Sequence, residues 1–137
     1  MNLKLISLVA LVVLTAACAT APEPLKPPEE IVAERSQARW DHLVAAEAEQ
    51  AREYYTPGYR AITSVVDYEI WARTRPIRWL GAEVEESWCE SEDLCRALVK
   101  VRYRIPGGPV GINTMRLERE VEEEWIQLEG QWFYVRK

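Results

Sequence analysis

At Pro76 the chain changes its hydrophobic period, and that switch constrains the architecture more than any other feature. Upstream, apolar residues recur three and four positions apart; downstream they alternate. A proline removes an amide donor and turns the residue before it out of helical backbone, so the two regimes meet there. Helices first and strands afterwards imply an α+β domain, with helices packed on a four-stranded or larger antiparallel sheet.

Residues 29–55 read as one long helix, with Ile31, Trp40, Leu43, Val44, Ala51, Tyr54 and Tyr55 at helical spacing and Ala45, Ala46 and Ala48 adding propensity. Thr56-Pro57-Gly58 ends it, and Thr56 caps a short turn with Pro57 in its first position. Ser64-x-x-Asp67 is a capping pattern that opens a further helix reaching Thr74. Val66, Tyr68, Ile70 and Ala72 also alternate as a strand would, and of the two the helix is taken.

Beyond Pro76 the clearest strand is Cys95 to Ile105, with Cys95, Ala97, Val99, Val101, Tyr103 and Ile105 on one face and Arg96, Lys100, Arg102 and Arg104 on the other. The strand before it runs from about Trp79 to Cys89. With Cys89 opposite Cys95, strict pairing sets Val99 and Val101 beside Glu85 and Glu83 instead of Val84; a bulge or a one-residue offset repairs this. After Pro106-Gly107-Gly108-Pro109 comes a long strand from about Thr114 to Leu128, with Met115, Leu117, Val121 and Trp125 inward. Its outward Glu118, Glu120, Glu122 and Glu124 suit the basic face of the neighbouring strand. Glu129-Gly130 turns the chain into a last strand, Gln131 to Val135.

The N-terminus carries a different message. Lys4 precedes an apolar run of about 13 residues, short of the ~20 that cross a bilayer, and Thr15, Ala16 and Ala17 lead into Cys18. Leu14 to Cys18 resembles the lipobox of bacterial lipoproteins, with Thr15 where leucine is commonest. The resemblance implies a signal peptide over 1–17 and a membrane anchor of diacylglycerol and amide-linked palmitate on Cys18. Ala19 in place of Asp implies sorting to the outer membrane, facing the periplasm. Ordinary cleavage at Ala17-x-Ala19 or Ala19-x-Ala21 is the other export reading, and it leaves a free periplasmic protein. Residues 18–29 form a proline-rich linker, extended by Pro22, Pro24, Pro27 and Pro28, and residues 30–137 form one domain.

The net charge of −5 disfavours nucleic acid as a partner, because neutralising phosphates takes a basic surface. With Cys18 assigned to lipid, Cys89 and Cys95 are the only pair left, suited to a disulfide in an oxidising compartment. Only His42 is available to join them at a metal, and structural zinc takes four ligands, so no metal or cofactor is expected.

The overall order, with Arg39-Trp40, Tyr54-Tyr55-Thr56-Pro57-Gly58-Tyr59-Arg60, the Cys89/Cys95 hairpin and the stretch Trp125 to Val135, resembles the nuclear transport factor 2-like superfamily. That implies a cone-shaped curved sheet wrapped around the first helix. Members include isomerases and dehydratases that place an Asp inside the cone, many noncatalytic modules that bind small ligands or proteins, and homodimers. Here Asp67 or Asp41 with a tyrosine is the candidate catalytic pair, against a helix cap for Asp67 and a hydrogen-bonded role for His42. No nucleophile or phosphate-loop motif is present. Six Trp and six Tyr fill a core or line a pocket. Tyr55, Arg60, Tyr68, Trp71 and Trp125 are the candidate ligand contacts, with an ion pair to Glu53 as the structural alternative for Arg60. The expected function is a noncatalytic envelope lipoprotein that binds a partner protein or a small apolar ligand.

Overall fold

The computed structural model describes residues 25–137. Cys18, the signal segment 1–17 and linker residues 18–24 lie outside them. Four helices, α1 (Pro28–Val44), α2 (Ala48–Arg52), α3 (Pro57–Ile62) and α4 (Val65–Thr74), precede four strands, β1 (Arg78–Cys89), β2 (Leu94–Pro106), β3 (Thr114–Leu128) and β4 (Gln131–Val135). The strands form one antiparallel sheet in the order β1-β2-β3-β4. This is the expected α+β fold.

The single long helix expected over 29–55 is broken in two. α1 ends at Val44 with Ala45 as its cap, and Ala46 takes a left-handed conformation with φ of 62°. The Glu47 amide donates to the His42 carbonyl at 2.8 Å and the Ala46 amide to the Leu43 carbonyl at 3.3 Å, the paired closure that normally uses glycine. A His42 Nδ1 to Glu47 Oε2 contact of 2.6 Å straddles the same corner. The break turns α2 back, so that Ala48 and Ala51 are buried alongside Leu43.

Later boundaries follow their local chemistry. Thr56 Oγ1 accepts the Tyr59 amide at 3.3 Å with Pro57 in the first turn, and Ser64 Oγ accepts the Asp67 amide at 3.1 Å. Buried Arg52 donates to the Thr63 carbonyl at 2.6 and 3.0 Å and to the Arg60 carbonyl at 2.6 Å, satisfying oxygens that a helix end leaves open. Segment 54–56 lies along β4: the Tyr134 amide donates to the Tyr54 carbonyl at 2.7 Å and the Thr56 amide to the Tyr134 carbonyl at 3.3 Å. That partly pairs an otherwise open sheet edge.

Cys89 faces Cys95 with their Cα atoms 3.8 Å apart and their sulfurs in bonding contact. The register slips between Val84 and Glu86, and again between Trp79 and Gly81, so Val84 faces Val99 and Ala82 faces Val101. The parity conflict in the sequence is thus resolved by bulges. On the outward face Arg96 pairs with Glu90, Glu122 and Glu124, and Lys100 with Glu85. The match of basic and acidic faces stops short of the strand end, where Arg104 lies opposite Arg116 instead of a glutamate. Glu129 and Gly130 both have positive φ, the backbone a two-residue hairpin requires.

An alanine in the left-handed region costs about 1 kcal/mol. Ala46→Gly should therefore raise the unfolding free energy by about that amount in chemical denaturation. An unchanged or lower midpoint would mean that the corner is held by something other than its backbone.

Candidate functional site

α1 presents Val32, Ser36, Arg39, Trp40 and Leu43 on its buried stripe. Two of these are polar, and both are aimed at Glu123. This glutamate shares the inward parity of Val121 and Trp125 on β3, and its side chain is fully buried. Oε1 accepts from the Arg39 guanidinium and from Trp40 Nε1 at 2.7 Å; Oε2 accepts from Ser36 Oγ at 2.7 Å and Trp125 Nε1 at 3.1 Å. Four donors converge on one carboxylate, which is how a charge survives in an interior.

Around this pair stands an aromatic box. The Arg39 guanidinium lies 4.0 Å from the ring centre of Tyr134, 5.0 Å from Trp40 and 5.7 Å from Tyr55. Burial alone would lower the Arg39 pKa, but the facing Glu123 carboxylate overrides it and holds the pKa above the usual value. Burial raises the phenol pKa of Tyr55 and Tyr68, and pushes that of Tyr134 up to about 12. Tyr68 donates to the Tyr55 oxygen at 3.3 Å. These phenols stay protonated at neutral pH, and those of Tyr55 and Tyr68 are occupied with each other.

Four of the five candidate ligand residues are gathered here, into a core. Tyr55, Tyr68 and Trp125 are buried, so the aromatic set packs the interior and offers them no open pocket. Trp71 lies at the margin, its ring 5.1 Å from Tyr68 and flanked by the guanidinium groups of Arg75 and Arg136. Arg60 stands apart, ion-paired with Glu53. Asp67 is exposed and accepts from Ser64; Asp41 is exposed and accepts from Gln37. Neither carboxylate lies in the aromatic box.

The sequence reading passed over Glu123 and Arg39 as a pair. The alternation of β3 held the signal, because the parity that turns Val121 and Trp125 inward buries Glu123 between them.

Among the described residues, a partly enclosed and mainly apolar cleft opens beside the α1–α2 corner. Leu43, Ala48, Ala72, Ile77 and Trp79 line a space of about 90 Å³ between the α1–α2 corner, α4 and the start of β1, with Arg73 and Arg78 also in its lining. Trp79 forms its wall, packed edge-on against Trp40 at 5.2 Å. Among the described residues no group of three or more His, Cys, Asp or Glu is placed to hold a metal ion, and no helix is long and apolar enough to cross a membrane.

These features define an α+β domain with an open four-stranded antiparallel sheet whose core is built on a buried ion pair. Two solved structures share that fold. One is a SEC-C motif-containing protein of Rhodopseudomonas palustris, 16% identical over 74% of this chain and 73% of that one, with a TM-score of 0.57. The other is a SEC-C motif-containing protein of Psychrobacter arcticus, 13% identical over 82% of this chain and 63% of its own, with a TM-score of 0.58. No family model and no curated protein matches the chain.

Removing one partner of a buried ion pair costs about 3–5 kcal/mol. Glu123→Gln should do so, and Arg39→Met in that background should recover part of the loss; a cost below about 1 kcal/mol would deny the carboxylate its central role. Tyr134 ionises less readily folded than unfolded, so its contribution is complete below pH ~10 and disappears as the pH climbs toward 12. Melting temperatures between pH 9 and 12 should fall less steeply for Tyr134→Phe than for the parent, and equal slopes would refute the assignment.

Proposed function

We propose that the chain is a noncatalytic bacterial envelope lipoprotein, held in the outer membrane through Cys18 and facing the periplasm. Its nuclear transport factor 2-like domain binds a partner protein. The lipobox supports the anchor. The order of helices before an open antiparallel sheet supports the superfamily, and the closed core supports a noncatalytic role, since Glu123 and the Tyr55–Tyr68 hydroxyl pair are spent on internal bonds.

The size of the Leu43–Trp79 cleft carries the choice of partner. Its 90 Å³ is less than the ~150 Å³ that encloses a benzene, and ligand pockets for drug-sized molecules start at about 300 Å³. Such a cleft suits one aliphatic side chain presented by another protein better than a free apolar ligand.

Cys18→Ala should abolish labelling by radioactive palmitate and release the protein from the membrane fraction; retained labelling would refute the anchor. A photo-crosslinking residue at Ala46, on the rim of the cleft, should give one discrete adduct in intact envelopes, and Ala72→Trp, which fills the cleft, should remove it. An adduct at the mass of two copies would identify the partner as the chain itself. Turnover of a model ketosteroid by the purified protein would overturn the noncatalytic reading.

A further inference from the structure

The end of the sheet remote from the disulfide has a charge pattern that the fold does not use. Arg78 lies opposite Arg104, and Arg104 opposite Arg116, so three arginines stand abreast on β1, β2 and β3. All three are exposed, and none has a carboxylate within 4.0 Å among the described residues. Like charges directly opposed across strands destabilise a sheet. The next rung adds Arg102, which faces Glu118 on one side and Gly81 on the other. Arg75 joins Arg78 and Arg104 around a shallow groove of about 340 Å³ that runs to Pro106 and Thr114. In a chain of net charge −5 this concentration is local and unneutralised.

Two residue pairs beyond the arginine row, the strands give way to the 107–113 loop. It holds up Val110, wholly exposed, and Ile112, half exposed. Leu80, set in the β1 bulge beside Arg102 and Arg116, is exposed as well. An apolar tip above a collar of cations is matched to the boundary of a bilayer, where acyl chains lie just beneath phosphates. Nucleic acid or an acidic protein would meet the arginines but leave the tip without a counterpart.

We propose that the 107–113 loop and the row Arg78–Arg104–Arg116 dock on an anionic phospholipid surface. Val110 and Ile112 enter the interface, and the guanidinium groups engage lipid phosphates. Arginine suits this role through its forked, bidentate pairing with phosphate oxygens. Each basic residue at such a surface contributes about fivefold to partitioning, and the row therefore about a hundredfold.

The test is hydrogen–deuterium exchange of the full chain reconstituted in vesicles of phosphatidylcholine with or without phosphatidylglycerol. The N-terminal segment is common to every arm, so loss of the proposed lipid anchor would not by itself alter the comparison. Exchange over residues 104–116 should slow at least tenfold on the anionic vesicles, and 0.5 M salt should reverse it. The triple variant Arg78→Gln/Arg104→Gln/Arg116→Gln should lose the protection while melting at or above the parent's temperature, since the opposed like charges are relieved. Val110→Ser/Ile112→Ser should lose it too with the arginines intact. Equal exchange on the two vesicle types, or protection that survives the triple variant, would overturn the proposal. So would equal protection by inorganic phosphate or a single-stranded oligonucleotide without vesicles.

Discussion

The Glu123 carboxylate is the point to which the rest of this domain is tied. Ser36, Arg39 and Trp40 come from α1, Trp125 from β3, and all four donate to its two oxygens. The arrangement fixes the rotation of α1 about its axis and its position along the sheet at once, since a helix turned by one residue would offer the wrong donors. Apolar packing tolerates small slips; a buried anion does not, because each lost donor leaves a polar group stranded away from water. Arg39 extends the effect by gathering Tyr134 and Tyr55 around its guanidinium. Through the main-chain bridge between Tyr55 and Tyr134, β4 is drawn into the same assembly.

Such a core has a functional side. The Glu123 carboxylate accepts four internal donors, and the Tyr68 hydroxyl donates to Tyr55. The tyrosines are held neutral by burial, and the carboxylate is saturated. The surface of the described residues includes a small, mainly apolar cleft at the α1–α2 corner and a basic, apolar-tipped end of the sheet.

Much of this was legible in the residues. The change of period at Pro76, the caps at Thr56 and Ser64, the turn at Glu129-Gly130 and the bulge demanded by Val84 and Val99 all rest on local chemistry, and local chemistry is written in sequence. The break at Ala46 was hidden because its usual marker, glycine, is missing and alanine signals continuation. Glu123 was hidden because a run of three glutamates reads as solvated surface, and only strand parity separates the middle one from its neighbours. The arginine row depended on register. Arg78, Arg104 and Arg116 are far apart along the chain and become one feature only when the bulges have set the pairing.

Ser87 Oγ donates to the Glu29 carbonyl at 2.8 Å, which places the entry into α1 beside the disulfide, at the pole of the sheet away from the arginines. β2 runs between the poles with 13 residues, about 40 Å of strand. The ten peptide units from Cys18 to Pro28 reach at most about 35 Å when fully stretched. Under the proposed anchor at Cys18 and the proposed docking of the far pole on the same leaflet, a leash shorter than the body it holds forbids an upright posture, and the strands lie oblique to the membrane plane.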